Sequence, residues 1–221
     1  MLSYKNQPDF FQTLIKANEL EAKCQRVEGR DLTEKETETY QNETFTDEFK
    51  FLSTNPERSE LTKTDAFKTT LASVLELTDQ IINDDLNNGF AFLEGETSSY
   101  ILSVLLRFCI QKHNTKRILV VNWDAEHDSV IQEEFYDNPR VLNVSMHRHE
   151  CGSDASDFIR LGENNAKGFN INIPLKSGFA DTEYMAVFLN VLLPVVYEFG
   201  PQLIIVPTCF NANSPKVRAH F

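Results

Sequence analysis

Residues 117–149 read RILVVNWDAEHDSVIQEEFYDNPRVLNVSMHRH, and this stretch decides the fold. Ile118–Val121 is a continuous run of β-branched and leucine side chains, the pattern of a parallel strand covered on both faces. Directly after it, Asp124–Asp128 is a turn dense in ionisable side chains. A short helix follows, and Val141–Met146 is the next strand. A strand–helix–strand unit of this kind builds a parallel α/β sheet. In such sheets the chemistry lies beyond the carboxyl ends of the strands, which is where this turn falls.

The same alternation continues outward. Phe169–Ile173 predicts a third strand, Glu183–Phe199 a long helix and Leu203–Val206 a final buried strand. Pro194 should kink or loosen the long helix, because it lacks an N–H and its ring collides with the preceding turn. The turn Thr208–Asn211 also follows a strand directly and is a candidate for the same rim as Asp124–Asp128. Towards the N-terminus, Ser99–Gln111 is apolar on nearly every side and reads as a buried helix. Phe67, Leu71, Val74, Leu75, Thr78, Ile81 and Ile82 recur at helical spacing behind a Thr64-Asp65 cap, with Asn87-Asn88-Gly89 as the stop. Thr33 and Glu36 carry a capping-box pattern. Short strands are expected at Cys24–Val27 and Phe90–Leu93, and a helix from Pro8 to near Ala22. Short surface helices are expected over residues 36–65, with Phe45, Phe49 and Leu52 docking inward.

A chain of 221 residues, 41% hydrophobic and 24% charged, is one ordinary globular domain spanning 1–221. The net charge of −12 argues against direct binding to nucleic acid, which needs clustered Lys and Arg. It leaves basic protein tails as possible partners. No apolar run reaches the roughly 18 residues that span a bilayer, so no membrane contact is expected. The N-terminal MLSYKNQPDFF lacks the apolar core of a secretory signal. Cys24, Cys109, Cys151 and Cys209 form no C-x-x-C pair. Cys24 and Cys109 sit in apolar contexts, so both are expected as buried free thiols in a reducing compartment. The protein is expected inside the cell, in the cytoplasm or nucleus.

Several motifs, in one order and spacing, carry a resemblance. Trp123-Asp124-Ala125-Glu126-His127-Asp128-Ser129 stands where class II histone deacetylases have W-D-x-H-H-G-N. Asn88-Gly89-Phe90-Ala91 is similar to their N-G-F-A, and Glu134–Leu142 to F-x-x-D-P-x-V-L. Ser145-Met146-His147-Arg148 resembles S-L-H-R, and Gly168–Ile173 resembles G-F-N-V-N-I. Glu183-Tyr184, Pro194 and Glu198-Phe199 follow E-Y … P … E-F, and Pro201–Val206 follows P-D-L-V-L-V. Leu20–Cys24 with Arg30–Thr33 looks like the family's early L-x-x-x-C … R-x-A-T segment.

The resemblance implies an α/β parallel sheet flanked by helices, of arginase/deacetylase type and incomplete at its C-terminal end. Members of this family are zinc amide hydrolases acting on acetyl-lysine. Carried over position by position, Asp124 keeps one zinc-ligand place, Glu126 stands where the family has His, and Asn211 stands where it has the last Asp, in G-F-D-A. Asn is a neutral, weak ligand for zinc, so the metal should be absent or weakly held. His127 matches a family histidine outside the metal shell, which implies a structural hydrogen bond. The family's R-P-P-G-H-H-A loop, with its proton-shuttling histidine pair, is missing, since Phe92-Leu93-Glu94-Gly95-Glu96-Thr97-Ser98-Ser99 runs straight into the next helix. The chain ends at Phe221, before the region that would hold the family's oxyanion-stabilising Tyr.

These substitutions imply a deacetylase-like domain without hydrolase activity, serving as a binding or scaffold module for proteins with acetylated or basic tails. The alternatives are a zinc-dependent hydrolase removing acetyl groups from lysine, and an interaction domain using the acidic stretch Glu34–Glu48. His147, His149 and Cys151 alternate and would share one face of a strand, a possible zinc site beside the bland reading of a family-type H-R pair. Gly162–Gly168 lacks the glycine spacing of a phosphate loop and reads as a loop before a strand.

Overall fold

A computed structural model describes residues 19, 21–40, 64–93, 98–149, 156–176 and 178–208. The expected helix from Pro8, the helices carrying Phe45, Phe49 and Leu52, Cys151, Cys209 and Asn211 lie outside the described residues. Two units divide the chain, Met1–Ile101 and Leu102–Phe221.

In the first unit, α1 (Glu34–Tyr40) opens with the predicted capping box. Glu36 N–H donates to Thr33 Oγ1 (3.2 Å), and Thr33 N–H donates back to Glu36 Oε2 (2.9 Å). α2 (Asp65–Ile82) is capped by Thr64, whose Oγ1 accepts from Phe67 N–H. Its apolar stripe buries Phe67, Leu71, Val74, Leu75 and Thr78, as the spacing requires. Arg30 forks onto both carboxylate oxygens of Glu36 (2.7 and 2.8 Å) and reaches Glu76 (2.9 Å), tying α1 to α2. Burial works against the Glu36 carboxylate, yet the bonds from Arg30 and Thr33 bring it down to about 2.

Three expectations fail here. Cys24–Val27 is not a strand: a single 3₁₀ turn, Glu21–Lys23, leads into irregular chain. Cys24 is exposed rather than buried, because its neighbours in that segment are exposed too, while Cys109 is buried as expected. Phe90–Leu93 forms no strand either, and the rings of Phe90 and Phe92 lie exposed with centres 4.8 Å apart. A short apolar run becomes a strand only where a neighbouring backbone can pair with it.

α3 (Ser98–Gln111) passes from the first unit into the second, and Leu102, Val104, Leu105, Leu106, Phe108 and Cys109 are buried along it. The second unit holds the sheet: β1 (Ile118–Asn122), β2 (Val141–Arg148), β3 (Asn170–Leu175) and β4 (Leu203–Ile205). The order is β3-β2-β1-β4 with every pairing parallel. This is the predicted sheet of α/β type.

Register gives the sheet two unlike faces. Because side chains alternate along a strand, Leu119, Val121, Leu142, Val144, Met146, Ile171 and Ile173 share one face. Val187, Phe188, Leu192, Val195, Val196 and Phe199 pack against it. The opposite face carries Asn122, Asn143, Ser145, His147, Asn170 and Asn172, all buried.

The helical layer over the apolar face runs as α5 (Asp181–Val187), a π turn (Phe188–Leu192) and α6 (Leu193–Phe199). α4 (Ser129–Glu134), which connects β1 to β2, lies on the polar face, where Gln132 meets Asn170 and Asn172. The π turn is the loosening expected from Pro194: Leu193 N–H reaches five residues back, to Phe188 O. Gly200 then ends α6 in the left-handed region at φ 58°, a conformation glycine adopts without a Cβ clash. The π turn does not interrupt the helical run. By length and composition alone, Asp181–Phe199 is apolar enough to cross a membrane, although Glu183, Asn190 and Glu198 interrupt its apolar residues. Here its inward side chains lie on the sheet.

Candidate functional site

The turn after β1 is fixed from four directions. Asp124 N–H donates to Asn122 Oδ1 (2.9 Å), and Arg148 N–H at the end of β2 donates to Ala125 O (3.0 Å). Tyr184 of α5 donates its hydroxyl hydrogen to Trp123 O (3.0 Å). Asp128 caps α4, its Oδ1 accepting from Val130 N–H (3.0 Å). The turn after β4 meets it, as the shared rim required: Trp123 Nε1 donates to Thr208 Oγ1 (3.2 Å), and Thr208 Oγ1 donates to Asp124 Oδ1 (3.3 Å).

Asp124 and Glu126 do not share an environment. Asp124 is 5% exposed, whereas Glu126 is an exposed residue. Burial raises the Tyr184 hydroxyl pKa, and the nearby Asp124 charge adds to that shift.

Beneath the turn lies a buried polar lattice that sequence reading did not single out. Gln132 of α4 accepts through Oε1 from Asn170 Nδ2 (2.9 Å) and Asn172 Nδ2 (2.8 Å). Asn143 Nδ2 donates to Asn170 Oδ1 (3.0 Å). Asn170 and Asn172 also donate to Arg160 O (2.6 Å) and Asp157 O (3.1 Å). The available signal was the polar residue at every second position of β2 and β3 inside otherwise apolar strands. Arg107 of α3 pairs with Glu134 of α4.

The two histidines of the region enter this lattice. His147 is fully buried, with Nε2 facing Ser156 O (3.0 Å) and Nδ1 facing Ser145 Oγ (2.9 Å). A carbonyl only accepts, so Nε2 carries the proton and Nδ1 accepts from the serine. The His127 ring meets His147 edge to face at 4.7 Å. Burial pushes His147 down to about 4, and the His127 ring adds to the shift. Burial also lowers His127, with Asn172 and Gln132 opposing it. His127 Nε2 is buried and has no hydrogen-bond partner among the described residues. Side-chain hydrogen bonding of the His127 ring with Asn172 and Gln132 accompanies its contact with His147.

Zinc needs three or four convergent donors. Among the described residues no three His, Cys, Asp or Glu side chains come together in that way. Of the family ligand positions, Asp124 is engaged by Thr208, Glu126 is exposed and Asn211 lies outside the described residues. The donors described do not fit the metal. The rival set fares no better: both His147 ring nitrogens are taken, His149 is exposed, and Cys151 lies outside the described residues.

The geometry has counterparts among known proteins. The chain is 34% identical to the polyamine deacetylase HDAC10 of Danio rerio over 163 residues, covering 66% of this chain and 24% of that protein. It is 31% identical to histone deacetylase 7 of Homo sapiens over 175 residues, covering 70% of this chain and 18% of that protein. Histone deacetylase 5 of Arabidopsis thaliana matches at 32% over 166 residues, 65% of this chain and 25% of that protein. The chain thus spans about a quarter or less of the length of these relatives. The solved structure of the histone deacetylase Clr3 superposes over 100% of this chain and 42% of its own, with a TM-score of 0.78 at 24% identity, and shows the fold to be that of the arginase/deacetylase type. The histone deacetylase domain model, that of a zinc-dependent deacetylase family, matches residues 101–215, just over half of the chain, and the protein therefore belongs to the histone deacetylase domain family.

Proposed function

We propose that this is a class II-like histone deacetylase domain that has lost hydrolase activity and serves as a binding or scaffold module. The observation carrying the reading is the engagement of Asp124. Its Oδ1 accepts a hydrogen bond from Thr208, which is itself held by Trp123, so the carboxylate works as a clasp between two turns. Glu126, in the family's His position, is exposed. The sequence around Phe92–Ser99 lacks the family's tandem histidines, which move protons in the hydrolysis. Losing several cooperating groups removes such an activity rather than scaling it down. Zinc is absent or weakly held in this reading. The partners are proteins with acetylated or basic tails, suited to a chain of net charge −12, and the protein works in the cytoplasm or nucleus.

The test is zinc content by elemental analysis together with turnover of an acetyl-lysine peptide. The expected result is no stoichiometric zinc and no turnover. About one zinc per chain with chelator-sensitive turnover would overturn the proposal in favour of a working zinc hydrolase. A specific observation favours that second reading: Asp124 is retained and buried at the carboxyl end of β1, the position of a family ligand. In that case Asp124→Ala would abolish both metal and turnover, while in the scaffold reading it only loosens the clasp.

A further inference from the structure

We draw no further inference here: the strongest candidate, the exposed apolar flank of the Asp181–Phe199 helical stretch formed by Met185, Leu189 and Tyr197, is an unpartnered helix face, and nothing in the structure shows what covers it.

Discussion

The imidazoles of His127 and His147 meet edge to face, 4.7 Å between ring centres, at the point where the turn after β1 rests on β2. Burial holds both below their ordinary pKa of 6.5, His147 at about 4. The folded protein therefore binds fewer protons than the unfolded chain as pH falls below about 6.5. The stabilisation is complete above that value and is lost as pH falls towards 4. For His147 alone the loss approaches about 3 kcal/mol. Urea unfolding followed from neutral pH down to pH 4 should show a falling midpoint. His147→Gln, less stable at neutral pH, should lose distinctly less over the same range. An equal loss in both proteins would place the acid sensitivity elsewhere.

A second acid window belongs to the first unit. The Glu36 carboxylate, held at about 2 by Arg30 and Thr33 against the cost of burial, stabilises the fold above its unfolded pKa of 4.5. That contribution disappears as pH falls from 4.5 towards 2, below the histidine window. Glu36→Gln should flatten the lower window and leave the upper one in place. Parallel acid titrations followed by circular dichroism would separate the two.

Thr208 closes the clasp between the turns after β1 and β4. Thr208→Val keeps the shape but strips Asp124 Oδ1 and Trp123 Nε1 of their hydroxyl partner. The expected cost is about 1–2 kcal/mol. Trp123 is the chain's single tryptophan, so its fluorescence reports on this corner alone. The emission should shift in Thr208→Val and return in Thr208→Ser. Unchanged emission and stability in the valine variant would show that the clasp contributes nothing.

Gln132 is the hub of the buried lattice, accepting from both Asn170 and Asn172 through one oxygen. Gln132→Leu fills the same space and leaves two buried amides short of an acceptor. Each loss is worth about 1–3 kcal/mol where water cannot enter. Chemical denaturation should record a drop of about 2 kcal/mol or more, larger than for a substitution of the same kind at exposed Glu133.

The sequence alone determined the architecture of the second unit. The run Ile118–Val121 required a strand buried on both faces, and the structure places it between β2 and β4 in a parallel sheet. Pro194 required a break in helical hydrogen bonding, and a π turn stands beside it. Thr33, Glu36 and Thr64 required helix starts, and each is bonded as such. These features are local: covalent geometry, donor count and side-chain period fix them within a few residues. Phe90–Leu93 and Cys24 escaped that reading, because burial and strand pairing depend on what lies opposite in space. The same reason limits the site. Sequence pointed to Asp124, Glu126 and His127 as neighbours on one turn and to Thr208–Asn211 as a second turn on the same rim. The tertiary structure decided that Asp124 is buried against Thr208 while Glu126 faces water, and that His127 leans on His147 from another strand. The register of β2 and β3 gathered Asn143, Asn170 and Asn172 around Gln132, a contact among residues up to 40 positions apart that no local pattern encodes.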